Sequence, residues 1–225
     1  MAPPKLEGQS RLILLLIAGT PVVIILAASW LWVFVAEGKL DLIGTVGTSN
    51  NGTLITPPRN LAGVVLADDM GAQRRWSDLD RRWMMVVVSK GERCDRQCER
   101  RLYVTRQLHI ALGKGFNRVK RVFISDHAIG DLTVAVPRED QLGWSALLTG
   151  DRLIDYLTVS HQGLVPLSVS PEVLDAQFPE LATSTTQWFL VDPAGWIMMR
   201  FDDTLSYKAV IKDLTFLLKH SGDAT

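Results

Sequence analysis

The chain has 225 residues, of which 47% are hydrophobic; this is enough for a membrane segment and one medium-sized globular core. Its 24 basic side chains balance its 24 acidic side chains at neutral pH. Because no net field draws such a chain to polyanions, the composition argues against nucleic-acid binding.

The N-terminal region is the most apolar part of the sequence. Residues 12–36 carry no charge, and this run exceeds the roughly 20 residues needed to cross a bilayer core of about 30 Å. The run ends in bulky residues such as Trp30 rather than in a small-residue cleavage site, which argues against a secretory signal. Lys5 and Arg11 precede it, so the positive-inside rule predicts a cytoplasmic N-terminus. We therefore expect a cytoplasmic tail over 1–11 and a transmembrane helix over 12–36.

Beyond the predicted span the composition changes to Gly, Thr, Ser, Asn and Pro. A segment of this composition cannot build a core and is typical of a linker. We therefore predict a flexible tether over 37–60, an extracytoplasmic domain over 61–220 and a short tail over 221–225.

The predicted domain alternates between strand and helix patterns. Residues 83–88 form an unbroken apolar run, as in a central strand covered on both faces. Helical spacing follows from Cys94, and Gly113 is a natural stop. The other predicted elements are strands at 61–66 and 119–125, helices at 137–148 and 171–178, a hairpin of 188–191 with 196–201, and a final helix from Tyr207. This order predicts a mixed α/β layer arrangement.

The two cysteines of the chain are Cys94 and Cys98. Outside a bacterial inner membrane, or in a mitochondrial intermembrane space, thiols can be oxidised. The Cα atoms of residues four positions apart on a helix are separated by about 6 Å, inside the Cα–Cα range of roughly 4.4–6.8 Å found in disulfides. A disulfide that closes so small a loop restricts the unfolded chain little, so stabilisation of the fold is a weak explanation for the presence of the two cysteines. The start of a helix favours the thiolate. We therefore expect Cys94 to attack and Cys98 to resolve the mixed disulfide.

The same two sulfurs are also a soft-ligand pair suited to copper(I) or zinc. A metal site needs a further donor, and His127 and His161 are the candidates. His109 is eleven residues beyond Cys98 on the predicted helix, about 16 Å away, and is too distant. A static pair without chemistry is the remaining alternative.

Four features, in order, resemble the membrane-anchored, thioredoxin-like Sco/SenC proteins, which help to assemble cytochrome c oxidase. They are the single N-terminal anchor, the core strand leading to Cys-x-x-x-Cys at Cys94 and Cys98, the strand at 121–126 and the hairpin at 189–195. The resemblance covers 61–220 and implies a thioredoxin-like mixed sheet flanked by helices. It also implies a single-pass protein of the bacterial inner membrane with its C-terminal domain in the periplasm.

The family's two cysteines bind copper or exchange electrons with the thiols of the oxidase dicopper site. The resemblance thus implies catalytic and copper(I)-binding roles for Cys94 and Cys98, and the copper-bearing oxidase subunit or its assembly factors as partners. Two residues depart from the family pattern: Ser184 stands where the copper-binding histidine is expected, and Glu99 replaces the proline after the second cysteine. Loss of a nitrogen donor weakens copper retention but leaves thiol exchange intact. The sequence therefore favours a thiol–disulfide factor, with a copper(I) chaperone or a non-catalytic scaffold as alternatives.

Overall fold

The computed structural model describes residues 7–36, 50–135 and 149–221, and in the first of these ranges it describes side chains at Ile13 and over 16–30. The chain divides into two compact units, Met1–Ser49 and Asn50–Thr225. The helix predicted at 137–148 lies outside the described residues.

The first unit contains the helix α1 (Glu7–Ala36), which is 30 residues long and has Pro21 in its interior. Across the described part of the chain, no helix is both long and apolar enough to cross a membrane. The span predicted over 12–36 stays a prediction.

The second unit contains two sheets. The strands of the larger sheet are β1 (Thr53–Asn60), β2 (Val65–Ala67), β3 (Gln73–Arg75), β4 (Trp83–Ser89), β6 (Val119–Ser125), β9 (Leu164–Ser168), β10 (Trp188–Val191) and β11 (Trp196–Phe201). Those of the smaller sheet are β5 (Arg93–Cys94), β7 (Thr133–Ala135) and β8 (Thr149–Arg152).

Within 50–135 and 149–221, four helices accompany these strands: α2 (Arg96–Ala111), α3 (Leu153–Ser160), α4 (Pro171–Gln177) and α5 (Tyr207–His220). Short 3-10 turns lie at Trp76–Asp78, Gly113–Arg118, Ile129–Asp131 and Pro179–Ala182.

The order of the larger sheet is β1-β11-β10-β4-β6-β9-β2-β3. Strands β4, β6 and β9 run parallel, and β10 is antiparallel to β4. Every residue of β4 is buried, and its side chains alternate between two cores. Met85 and Val87 pack with buried residues of α2, α3 and α5, whereas Met84 and Val86 pack with the core that includes Leu174 of α4. The apolar run therefore is a central strand covered on both faces, as predicted.

The hairpin of β10 and β11, the strand β6 and the helices near 171 and 207 lie where the sequence predicts them. The predicted tether is wrong at its C-terminal end, because Thr53–Asn60 pairs with β11 and the second unit starts at Asn50. The strand expected at 61–66 is shifted to Val65–Ala67. Leu61 instead lies in the turn between β1 and β2, where its N–H donates to the carbonyl of Gly195.

Candidate redox site

Cys94 and Cys98 are joined by a disulfide, with their Cα atoms 5.2 Å apart. Both residues are only 1% exposed and belong to the apolar core between the sheet and α2. The sequence prediction that this pair can be bridged is confirmed. The sulfurs are covered by the protein in this oxidised state, so an exchange reaction needs a local opening.

The two cysteines lie in different elements, contrary to the prediction that one helix carries both. Cys94 is in β5, where it pairs with Val134 of β7. Asp95 then caps α2, and its carboxylate accepts the N–H of Cys98 at 2.8 Å. Because this cap starts the helix at Arg96, Cys98 and not Cys94 lies in the first turn, close to the positive end of the helix dipole. The Asp95 side chain brings a carboxylate to the same turn.

A buried cation, Arg101, lies three residues beyond Cys98 on α2 and is 3% exposed. Its Nη1 donates to the carbonyls of Val88 at 2.6 Å and Gln187 at 3.3 Å, and its Nε donates to that of Gln97 at 3.2 Å. Burial lowers the pKa of Arg101 to about 10, so the side chain stays charged at neutral pH. Arg101 therefore joins the end of β4, the start of α2 and the segment before β10 with one positive charge.

The segment before β10 lies close to residues that flank Cys94. Thr185 lines a small cavity of about 70 Å³ together with Arg93, Asp95 and Arg101. Ser184, at the position expected for a copper-binding histidine, has its hydroxyl 3.0 Å from that of Thr186. The residue of this segment that lines the cavity beside the cysteine segment is thus a threonine.

The histidines proposed as further donors have other partners. His127 Nδ1 lies 2.8 Å from the Asp126 carboxylate, and this hydrogen bond raises the pKa of His127. His161 is buried and contacts Arg121, while His109 Nε2 lies 2.9 Å from the carbonyl of Phe116 and 3.0 Å from that of Val119. No group of three or more His, Cys, Asp or Glu in the described ranges is arranged to hold a metal ion.

Glu99, which replaces the family's proline, makes a contact that sequence reasoning missed. The hydroxyl of Tyr156 on α3 donates to Glu99 Oε1 at 3.2 Å. Burial and the neighbouring Glu99 charge raise the pKa of Tyr156. Glu99 therefore ties the first turn of α2 to α3, directly beside Cys98.

A larger cavity of about 390 Å³ lies at the opposite end of β4 from the disulfide. It is lined by Trp76, Asp80, Met84 near the start of β4, and the Asp192–Gly195 turn of the hairpin. None of its lining residues belongs to the cysteine segment, so this cavity is separate from the candidate redox site.

The family model described as "Transmembrane-like, thioredoxin-like, C-terminal domain" matches residues 83–154 and 133–221. The structure is similar to that of yeast Sco1 with copper bound, with a TM-score of 0.52 and 14% identity over 79% of this chain and 98% of that one. It is also similar to Arabidopsis thaliana ScoI with copper bound, with a TM-score of 0.51 and 14% identity over 72% and 99% of the two chains. No curated protein matches the sequence. The predicted Sco-like, thioredoxin-type mixed sheet flanked by helices is confirmed.

Proposed function

Since this chain belongs to the transmembrane-like, thioredoxin-like, C-terminal domain family, we propose that it is a thiol–disulfide factor tethered to a bacterial inner membrane, with its redox domain in the periplasm. The observation that carries the proposal is the Cys94–Cys98 disulfide at the junction between a sheet and a helix. The uncharged segment 12–36 supports the tether. The Sco/SenC resemblance indicates the thiols of the copper-bearing oxidase subunit, or of its assembly factors, as the substrate.

The different positions of the two sulfurs support different roles for them in this proposal. A partner thiolate attacks Cys94 Sγ, the Cys94–Cys98 bond breaks, and Cys98 leaves as a thiolate. A second partner thiol, after losing its proton, then attacks the mixed disulfide and releases Cys94, so the partner loses two electrons and two protons and the pair gains them. Cys98 is the better leaving group because it lies in the first helical turn, and a more stable thiolate leaves faster. In the reverse direction Cys94 attacks and Cys98 resolves.

Thiol trapping in intact cells tests this function. With the wild-type chain we expect part of the population to be oxidised. In a Cys98→Ser variant we expect a mixed disulfide through Cys94 that carries a partner protein. Val134→Thr is the matched control, because it places a hydroxyl on the ladder partner of Cys94 without touching either sulfur. If the Cys94→Ser strain keeps full oxidase activity and an unchanged thiol state of the copper subunit, the proposal is wrong.

Copper(I) passage is the second candidate function, and the pair of adjacent sulfurs is the observation that favours it. The reduced pair offers two thiolates, and the described residues do not complete a three-ligand site. We therefore treat copper(I) as a cargo held briefly. Titration of the reduced full-length chain against a copper(I) chelator decides between the two functions. One copper retained per chain favours the chaperone, whereas no retention leaves exchange as the function.

A non-catalytic scaffold makes the opposite prediction for the cysteines. Replacing both Cys94 and Cys98 with serine would then leave oxidase assembly intact, provided that circular dichroism shows a folded protein. We expect assembly to fail in this double variant, because exchange needs both sulfurs.

A further inference from the structure

A second cluster of polar side chains is buried on the face of the sheet that packs against α2. Arg121 lies on β6 between Val119 and Phe123 of the cysteine-containing core, and alternation along the strand directs its side chain to the same face. Arg121 is 3% exposed and its neighbour His161, just after α3, is 1% exposed. Such burial is rare for a charged side chain without a partner of opposite charge.

The hydrogen bonds of Arg121 are long. Its Nη1 lies 3.4 Å from His161 Nδ1, and its Nη2 donates to the carbonyls of His161 at 3.4 Å and Gln162 at 3.2 Å. Typical N–H···O bonds have donor–acceptor distances of about 2.9–3.0 Å. The described residues thus satisfy the hydrogen-bonding capacity of the Arg121 guanidinium only weakly.

Three buried nitrogens of this cluster have no hydrogen-bond partner among the residues that the structure describes: Arg121 Nε, His161 Nε2 and Arg106 Nε. Since an arginine cannot accept a hydrogen bond, His161 Nδ1 is the acceptor and the neutral ring carries its proton on Nε2. Arg106 joins the cluster through a hydrogen bond from its Nη1 to the carbonyl of Ser160, next to His161. All three unpartnered groups are therefore N–H donors that lack an acceptor.

The positive charges of the cluster also lack an ion-pair partner among the described residues. Among the described residues, no carboxylate forms an ion pair with Arg106 or Arg121. Burial and the charge of Arg106 lower the pKa of Arg121 to about 10. Burial and both arginines lower the pKa of His161 to about 3. At neutral pH the cluster thus holds two positive charges and a neutral imidazole.

We propose that Arg106, Arg121 and His161 bind a small inorganic anion of the size of chloride. An anion accepts hydrogen bonds from several N–H donors at once and also offsets the buried positive charge, whereas a water molecule satisfies donors but leaves the charge uncompensated. Because the donor nitrogens are covered by the protein, the ligand must be a small ion, and its entry requires neighbouring side chains to move. This site goes beyond the proposed function and does not depend on the chemistry of the cysteines.

Thermal unfolding of the purified full-length chain tests the site. Sodium chloride replaces sodium gluconate at constant ionic strength, so general screening is unchanged. When chloride reaches about ten times its dissociation constant, we expect the Tm to rise by about 3–6 °C. We expect the Arg121→Met variant to show no rise in Tm with chloride. The Arg59→Met variant keeps this rise, because Arg59 already pairs with the Glu180 carboxylate at 2.8 Å. Equal Tm values for the wild-type chain in the two salts would overturn the proposal.

Crystals of the wild-type chain grown in bromide give a direct answer that does not depend on how any variant folds. We expect an anomalous peak within contact of Arg121 and His161. A peak of water density at that place without anomalous signal means that only a buried water satisfies the donors, and the anion site is then refuted.

Discussion

Arg101 is a side chain near the disulfide for which the structure predicts a large effect of a single substitution. It is 3% exposed and donates to the carbonyls of Val88, Gln187 and Gln97. Arg101→Met keeps much of the apolar stem but removes these donors and the charge. The end of β4, the segment before β10 and the start of α2 then lose the group that joins them.

The magnitude follows from the bonds lost. A hydrogen bond from a charged donor contributes about 1.5–3 kcal/mol, and an unsatisfied buried acceptor costs about 1–3 kcal/mol. Removal of the buried charge offsets part of this lost stabilisation, because the desolvation cost of Arg101 disappears as well. We therefore expect Arg101→Met to lower the free energy of unfolding by about 3 kcal/mol. For a chain of this size that corresponds to a Tm decrease of roughly 6–12 °C.

Urea unfolding of the full-length chain, followed by tryptophan fluorescence, measures this change. Arg100→Met is the matched control one residue earlier on α2. The Arg100 side chain is 61% exposed and lies 3.4 Å from Asp203, and an exposed pair of this kind contributes at most about 1 kcal/mol. If the two variants lower stability equally, the carbonyl contacts of Arg101 do not stabilise the junction and the reasoning is wrong.

Three further predictions concern the same unit. Reduction of the Cys94–Cys98 disulfide should lower the free energy of unfolding by only about 2 kcal/mol, because the closed loop is small. Urea unfolding with and without reductant measures this change, and a loss above about 4 kcal/mol would contradict the prediction. Tyr156→Phe should cost about 1 kcal/mol through the lost bond to Glu99, and an unchanged urea midpoint would show that this bond is unimportant. Because burial lowers the pKa of His161 to about 3, its contribution to stability is complete above pH 6.5 and is lost as the pH falls towards 3. In gluconate buffer we expect a loss of about 2 kcal/mol between pH 7 and 5, and His161→Gln should lose correspondingly less.

The elements that the sequence predicts correctly are those whose pattern is local. The run at 83–88 has no polar residue, so only a strand buried on both faces suits it. Asp192 at the hairpin accepts the N–H groups of Ala194 and Trp196, which is the turn chemistry expected of an aspartate in this position. In such segments the local signal and the final structure coincide.

Strand β1 shows what a local pattern misses. Its sequence, TLITPPRN, has two prolines and few apolar residues, so it resembles a linker. Prolines are tolerated on an edge strand, and β1 is at the edge, beside β11. Just before it, the N–H groups of Asn51 and Gly52 donate to the Asp213 carboxylate on α5, about 160 residues away. This anchor depends on tertiary structure, so linker composition could not predict it.

The sequence predicts that Cys94 and Cys98 can be bridged, which the disulfide confirms, but it does not predict the local geometry of the pair. Asp95 is a favoured N-cap residue, and this signal in the sequence could have placed the helix start after Cys94. The burial of Arg101 had no such signal, because three arginines lie within four residues of Cys98 on α2 and only the packed structure distinguishes the buried from the exposed ones. The role of Glu99 likewise depends on Tyr156, 57 residues further along the chain.

The described groups around the disulfide support our proposal of exchange over metal retention. When the pair is opened, one sulfur carries a negative charge, and the first turn of α2 stabilises that charge at Cys98. The segment before β10 supplies hydroxyls, with Thr185 lining the cavity beside Arg93 and Asp95. Hydroxyl groups donate hydrogen bonds to a thiolate but are poor ligands for copper(I), which prefers sulfur and imidazole. Replacing Ser184 with histidine should therefore increase copper(I) retention by the reduced chain, and a chelator competition that finds no increase would show that this segment does not reach the sulfurs.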